Sequence, residues 1–378
     1  MTAVAAQSGS AFSFARSARG VLRRVPVWTW RLLMLAVSER ERAWFNTDPI
    51  TEVAYAHDID YAGDGLPSHR LDVLTPLEGT PPALQRPAAN AELLPVYVYF
   101  HGGGWTSGDK AAVTKYCASQ VLGGMVVVNV NYRQAPRFHM GHVLEDANAA
   151  LAWVAAHIRD YGGDPERLIL GGDSAGGHIS ALLTAVSLRP ELAAHYALEP
   201  AFSGTQLKGL VQHCSAVDFS VFFERSFVLS LNFVRMLLPA AAPPAGRSRR
   251  FPRSRRAVEH LKDAAAVVSP IEWLGPGHPP VFVTTSERDF FYRANLNFIE
   301  RLQHLAVPVE TLIYAWSSAN TEHTWQQDYR YPESQEVYRR LHAFVRRVAW
   351  LPQPGTDQAE QPGLSWEHGG SGQGTGRG

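Results

Sequence analysis

Cysteine is scarce: the 378-residue chain has 2, Cys117 and Cys214, each beside apolar residues. Two thiols without metal-ligand spacing exclude a disulfide framework and a cysteine-built metal site, and both read as buried thiols. Net charge is missing too, because Lys+Arg and Asp+Glu number 35 each and the formal net charge is +0. That balance argues against a nucleic-acid partner and makes a small or neutral ligand the expected one. Long apolar runs are also absent. The most apolar stretch near the N-terminus, VPVWTWRLLMLAV at 25–37, follows Arg23 and Arg24 as a signal-peptide core would, but Arg31 interrupts it and SERER stands where a small-residue cleavage site belongs. It is too short to cross a bilayer as a helix. The expectation is an amphipathic helix that covers part of the protein or rests on a membrane surface, with the chain in the cytoplasm.

What is present is apolar material in a regular rhythm. Hydrophobic residues make up 46% of the chain and charged residues 19%, enough for a large core. From about residue 50, β-rich apolar runs occur at 96–100, 125–130, 167–172, 207–214, 281–285 and 309–316, and read as buried parallel strands. Between them, Val143, Ala147, Ala150, Leu151, Val154 and Ile158 share one helical face, as do Ile179, Leu182, Leu183 and Val186, and near the end Val337, Leu341, Phe344, Val345 and Val348. EVAYAHDIDYA and HRLDVLTP, joined by GDGLPS, read as an antiparallel pair at the start.

Three segments break the rhythm. Residues 79–93 are rich in Pro and Ala and read as a surface loop. Residues 219–256 combine an apolar helical stretch with a linker holding Arg247, Arg249, Arg250, Arg253, Arg255 and Arg256, and form a candidate cap. The residues from Pro354 are polar and Gly-rich and are expected to be disordered.

The chemistry centres on LILGGDSAGGHIS at 168–180. A lone G-x-S-x-G usually marks only a turn. Here a strand precedes it and a helix follows, the setting in which Ser174 would sit on a strained turn, with Gly172 and Gly176 removing side chains that would collide. The helix N-terminus then faces the charge that develops on a substrate oxygen. HGGGWTSGDK at 101–110 follows another strand, and its bare backbone amides suit oxyanion donors.

With HGGGW, NYRQAP (131–136), LEDANAALAWV (144–154), GGDP (162–165), GDSAGG (172–177), SP (269–270) and EHTW (322–325) in this order, the chain resembles the hormone-sensitive-lipase-like carboxylesterase group of α/β-hydrolases over about residues 52–350. HGGGWTSGDK and YGGDP are also similar to prenylcysteine-methylesterase-like and formamidase-like relatives. The resemblance implies an α/β-hydrolase fold, a mostly parallel eight-stranded sheet flanked by helices with a helical cap. Together with the segment readings above, the chain is expected to divide into an N-terminal helical or cap segment over 1–50, a hydrolase domain over 51–352 with a cap insertion at about 218–262, and a disordered tail over 353–378. The resemblance also implies an oxyanion hole built by Gly103, Gly104 and Ala175, and gives His101 a structural role in its loop. QAPRFHM lacks the acidic residue that usually follows AP in this group, and the loop before residue 323 is longer than usual.

A serine hydroxyl needs an imidazole to take its proton and a carboxylate to orient that imidazole, and in this fold both lie downstream of the serine. SERDFF after the strand at 281–285 offers Asp289, which matches the family's acid, and Glu287 in reserve; Asp289 as a cap of the following helix is the plain alternative. His304 and His342 lie in helical patterns and read as surface residues. His323 follows the last strand in a polar loop, where the family keeps its base. His178 reads as a packed helix residue and Asp173 as a support of the turn. The expected function is hydrolysis of carboxylic esters with short to medium acyl chains by Ser174, His323 and Asp289, with no metal or organic cofactor. An amide hydrolase and a non-catalytic binding protein on the same scaffold are the alternatives. Phe222, Phe223, Phe227, Leu229, Phe233 and Leu237 are candidates to line the substrate pocket or simply to pack. The expected partner is a small-molecule ester; a homodimer and contact with a membrane surface are left open.

Overall fold

Alternate residues of the third strand face opposite layers of core. In β3 (Leu94–Phe100), Val96, Val98 and Phe100 join one hydrophobic cluster while Tyr97 and Tyr99 join another. The same alternation in β4 (Val126–Val130) sends Val126, Val128 and Val130 to the first cluster and Val127 to the second. A strand buried on both faces needs helices on both sides, so near-continuous apolar runs become the middle of a three-layer sandwich. The computed structural model describes residues 27–77, 93–225, 227, 229, 231–239 and 255–350. The loop expected at 79–93, most of the basic linker and the tail from 354 fall almost wholly outside them.

The sheet has eight strands. Besides β3 and β4 they are β1 (Val53–Asp60), β2 (Arg70–Pro76), β5 (Gly163–Asp173), β6 (Leu207–His213), β7 (Val281–Ser286) and β8 (Val309–Tyr314), in the order β1-β2-β4-β3-β5-β6-β7-β8. β1 pairs antiparallel with β2 and β2 with β4, and every other pair is parallel. The expected antiparallel start and the six parallel strands are therefore present. β5 begins earlier than the apolar run at 167–172, because Gly163 and Asp164 pair with Leu94 and Pro95 ahead of a register shift.

Described helices are α1 (Val27–Phe45), α2 (Thr114–Val121), α3 (Met140–His157), α4 (Ala175–Leu188), α5 (Pro190–Tyr196), α6 (Leu231–Leu237), α7 (Arg255–Ala265), α8 (Tyr292–His304) and α9 (Pro332–Ala349). The expected faces of α3, α4 and α9 are buried, and α3 and α4 cover one side of the sheet while α2 and α9 cover the other. No helix among the described residues is long and apolar enough to cross a membrane.

Two expectations are corrected. The apolar stretch after residue 219 is not one helix. The Asp218 carboxylate accepts the Ser220 amide at 2.8 Å and starts a short 3₁₀ turn over Phe219–Phe223, which ends where Glu224 turns extended, and α6 resumes only at Leu231. Phe219 and Phe222 are drawn inward against Trp105, and burying those rings outweighs helical continuity. His304 is exposed as expected, but His342 is half-buried: its ring lies against Gly123 and pairs with Gln120 Oε1 at 3.2 Å.

Burial holds several imidazoles neutral, pushing His178, His278 and His342 down to about 4 and His213 to about 3, against an ordinary value of 6.5. Below 6.5 the unfolded chain binds protons that the folded protein refuses, so stability falls as the pH drops through the window from 6.5 towards 4. The urea midpoint is expected to fall between about pH 7 and about pH 5, with each such imidazole contributing on the order of 1–2 kcal/mol. His342→Gln should lose less than the wild type over that interval; an equal loss in both would remove His342 from the account.

Candidate active site

The C-terminal ends of the parallel strands all point to one rim, where ligands of open α/β sheets bind. The turn from β5 into α4 stands at its centre. Ser174 has φ 51° and ψ −112°, a left-handed backbone that a side-chain-bearing residue adopts only under strain. Backbone bonds over-determine it: the Ser174 amide donates to the His213 carbonyl at 2.9 Å, and the Ser174 carbonyl accepts the amides of His178 and Ala216. The two glycines are required by contact. A Cβ on Gly176 would run into the Phe100 carbonyl, and one on Gly172 would strike the same oxygen and the backbone of Gly176.

The structure brings Ser174, His323 and Asp289 together. His323 Nε2 lies 3.0 Å from Ser174 Oγ, and its Nδ1 lies 2.7 Å from Asp289 Oδ1. A carboxylate only accepts, so Nδ1 carries the proton and Nε2 presents its lone pair to the serine hydroxyl. The Asp289 side chain is fully buried, and it also accepts the Phe291 amide at 3.0 Å and the Thr285 hydroxyl at 3.1 Å. It therefore caps the turn before α8 and holds the imidazole at once. The reserve candidate Glu287 is exposed and accepts the Trp316 amide at 2.7 Å, away from this chain of bonds.

The loop after β3 forms the opposite wall. Gly103 and Gly104 have φ of 111° and 59°, and the Gly103 carbonyl is held by the amides of Thr106 and Ser107. The Gly102 amide donates to Asp173 Oδ1 at 3.0 Å, and the same oxygen accepts the Tyr99 hydroxyl at 2.7 Å. Burial pushes the Asp173 carboxyl above its ordinary value, against the pull of those donors. In contrast, the amides of Gly103, Gly104 and Ala175 enter no backbone hydrogen bond among the described residues. His101 stacks on Tyr132 and donates Nδ1–H to the Gly102 carbonyl, the structural part expected for it. His178 is packed, accepting the Trp105 indole N–H at 3.0 Å and donating to the Val268 carbonyl at 2.6 Å.

A cavity of about 290 Å³ opens above Ser174, walled by Trp105, Leu229, Phe233, Phe290 and, from α1, Met34. Of the six apolar residues proposed from the sequence, Leu229 and Phe233 line it. Phe222 and Phe227 instead pack on Phe291. Sequence reasoning missed Met34, Phe290, Thr285 and Cys214. Phe290 lies 3.9 Å from the His323 ring, centroid to centroid, and its place directly after Asp289 was the available signal. Cys214 had none. Its thiol, with Asp289 and His323, forms a cluster whose ligand atoms lie within 4.8 Å of one another. Burial pushes the thiol up, so it stays protonated, and both ring nitrogens of His323 are already engaged. The donor set suits proton transfer better than a metal ion, which takes thiolate and free imidazole.

Gly176→Ala is expected to abolish turnover of any substrate of this site and to lower the melting temperature, because the Phe100 carbonyl has nowhere to move. Thermal melts and a serine-reactive phosphonate label would check this; normal labelling would show that the turn tolerates a methyl group.

A family model described as alpha/beta hydrolase fold matches residues 97–317. Carboxylesterase NlhH of Mycobacterium tuberculosis is 43% identical over 91 residues, 24% of this chain and 28% of that protein. The probable carboxylic ester hydrolase LipM of the same organism is 28% identical over 269 residues, 69% of this chain and 54% of its own. The chain thus matches between about a quarter and about half the length of these curated relatives. Esterase B from Lactobacillus rhamnosis has a similar structure, with a TM-score of 0.68 at 19% identity over 88% of this chain and 96% of that one, and the likeness shows a shared fold. With its motifs matched across more than half its length and its eight strands in the observed order, the chain belongs to the alpha/beta hydrolase fold family.

Proposed function

We propose that this protein is a serine carboxylesterase, a reading carried by the hydrogen-bonded chain from Ser174 Oγ through His323 to Asp289. Ser174 Oγ attacks the ester carbonyl carbon as its proton passes to His323 Nε2. Asp289 keeps the imidazole in the acceptor tautomer and stabilises the imidazolium that forms. The amides of Gly103, Gly104 and Ala175 hold the oxyanion, reinforced by the positive end of α4. Collapse of the intermediate breaks the bond to the alkoxide oxygen, which leaves as alcohol with the proton from His323. Water then gives a proton to His323 and attacks the acyl carbon, releasing the carboxylic acid and restoring the serine.

The cavity supports esters of short to medium acyl length, because its volume of about 290 Å³ is at the small end for ligand pockets and its walls are aromatic and aliphatic. The segment over about 218–262 acts as the cap, since Leu229 and Phe233 contribute to the cavity from it. The names borne by NlhH and LipM favour ester over amide cleavage.

Ser174→Ala is expected to lower kcat for p-nitrophenyl butyrate by at least about 10⁴-fold with an unchanged circular dichroism spectrum. Retained activity would mean that another nucleophile does the work. Asp289→Asn should lose about 10⁴-fold in kcat, while Glu287→Gln stays near wild type. A reversal of those two would move the acid to Glu287. Rates should fall from butyryl to dodecanoyl esters, and faster turnover of N-formyl amides than of esters would replace this reading by an amidase.

A further inference from the structure

Helix α1 reaches the cavity with one side chain and offers several others to solvent. Met34 lines the cavity above Ser174, and Val27 and Arg31 are half-buried on the same side of the helix. Their neighbours point away: Trp28 is 59% exposed, Leu32 69%, Leu33 57% and Leu35 40%. Four large apolar side chains within two turns form an uncovered patch beside the mouth of the site. The helix is firmly seated beneath them. Arg31 Nη1 donates to the Ala135 carbonyl at 3.2 Å, the Trp44 indole donates to Asp328 Oδ2 at 3.0 Å, and Asn46 bonds the Ala111 carbonyl at 2.7 Å. The exposed face is a property of a docked helix and cannot turn inward without breaking those bonds.

Charge identifies the occupant. Residues 1–38 contain the arginines Arg16, Arg19, Arg23, Arg24 and Arg31 and not one Asp or Glu, although the chain as a whole is neutral. An apolar helix face bearing Trp and Leu, joined to an uncompensated cationic segment, matches an interface lined with anionic headgroups. A neutral protein partner would make use of the apolar patch and leave the arginines without counter-charge.

We propose that the outer face of α1 docks the protein on an anionic lipid surface, with Trp28, Leu32, Leu33 and Leu35 entering the headgroup boundary and Arg16, Arg19, Arg23 and Arg24 drawn to lipid phosphates. The orientation places the mouth of the cavity at the interface, because Met34 faces the cavity from the helix that docks. The proposal concerns where the molecule sits and stands apart from the chemistry assigned to Ser174.

The test is co-sedimentation of the full chain with phosphatidylcholine vesicles, with and without phosphatidylserine. Wild type is expected to pellet with the anionic vesicles, at least about tenfold more weakly with the neutral ones, and to be released by high salt, which screens the headgroup charge. Leu32→Glu with Leu35→Glu should remain in the supernatant while keeping the wild-type melting temperature and hydrolysis of a water-soluble ester. Wild type that ignores anionic vesicles overturns the proposal, as does a double variant that still pellets. A dimer in sedimentation velocity that the double variant abolishes, without vesicle binding, would assign the face to a second copy instead and overturn the lipid assignment.

Discussion

One close approach governs this molecule: the first turn of α4 presses against the carbonyl of Phe100 at the end of β3, at a distance that admits no Cβ on Gly172 or Gly176. That contact forces Ser174 into its left-handed backbone and lifts its hydroxyl clear of the sheet edge. It also fixes the spacing between the turn after β5 and the loop after β3, since the same Phe100 leads directly into His101–Gly104. The positions of the Ser174 hydroxyl and of the amides of the glycine loop are therefore set by a single packing event between neighbouring strands.

Two buried carboxylates divide the work around that contact. Asp173 ties the loops together, taking the Gly102 amide and the Tyr99 hydroxyl, and it holds the amide next to those of Gly103 and Gly104. Asp289 faces the imidazole and is steadied by Thr285 and the Phe291 amide. A buried carboxylate without donors is costly, so each has its own set, and the two are not interchangeable. Around them His101, His178 and His213 are held neutral by burial and serve as hydrogen-bonding struts. His323 differs in standing partly open to the cavity, with 22% of its side chain exposed.

The strands and the faces of α3, α4 and α9 were legible because each depends on periodicity within a short window, where burial follows from spacing. The stretch after 219 misled for the same reason. Its apolar spacing suits a helix, but the pull of Trp105 and Phe291 on Phe219 and Phe222 comes from elements distant in sequence. His342 was misread because its partner Gln120 lies 222 residues away. Cys214 and Met34 gave no local sign at all, since what places them near Ser174 is the meeting of β6, β7 and α1 at one rim.

The sequence by itself determined the strand-turn-helix around Ser174, because the steric demand of that turn is met by glycines two residues to either side. It determined the glycine loop and the buried faces for the same local reason. Local spacing leaves open which carboxylate and which histidine meet the serine: the family resemblance points to Asp289 and His323, and only the tertiary structure brings them to it. Asp289 lies 34 residues from His323, and His323 lies 149 from Ser174. Their convergence is fixed by the parallel order β5-β6-β7-β8, which stacks successive strand ends side by side and turns separation along the chain into contact across the rim.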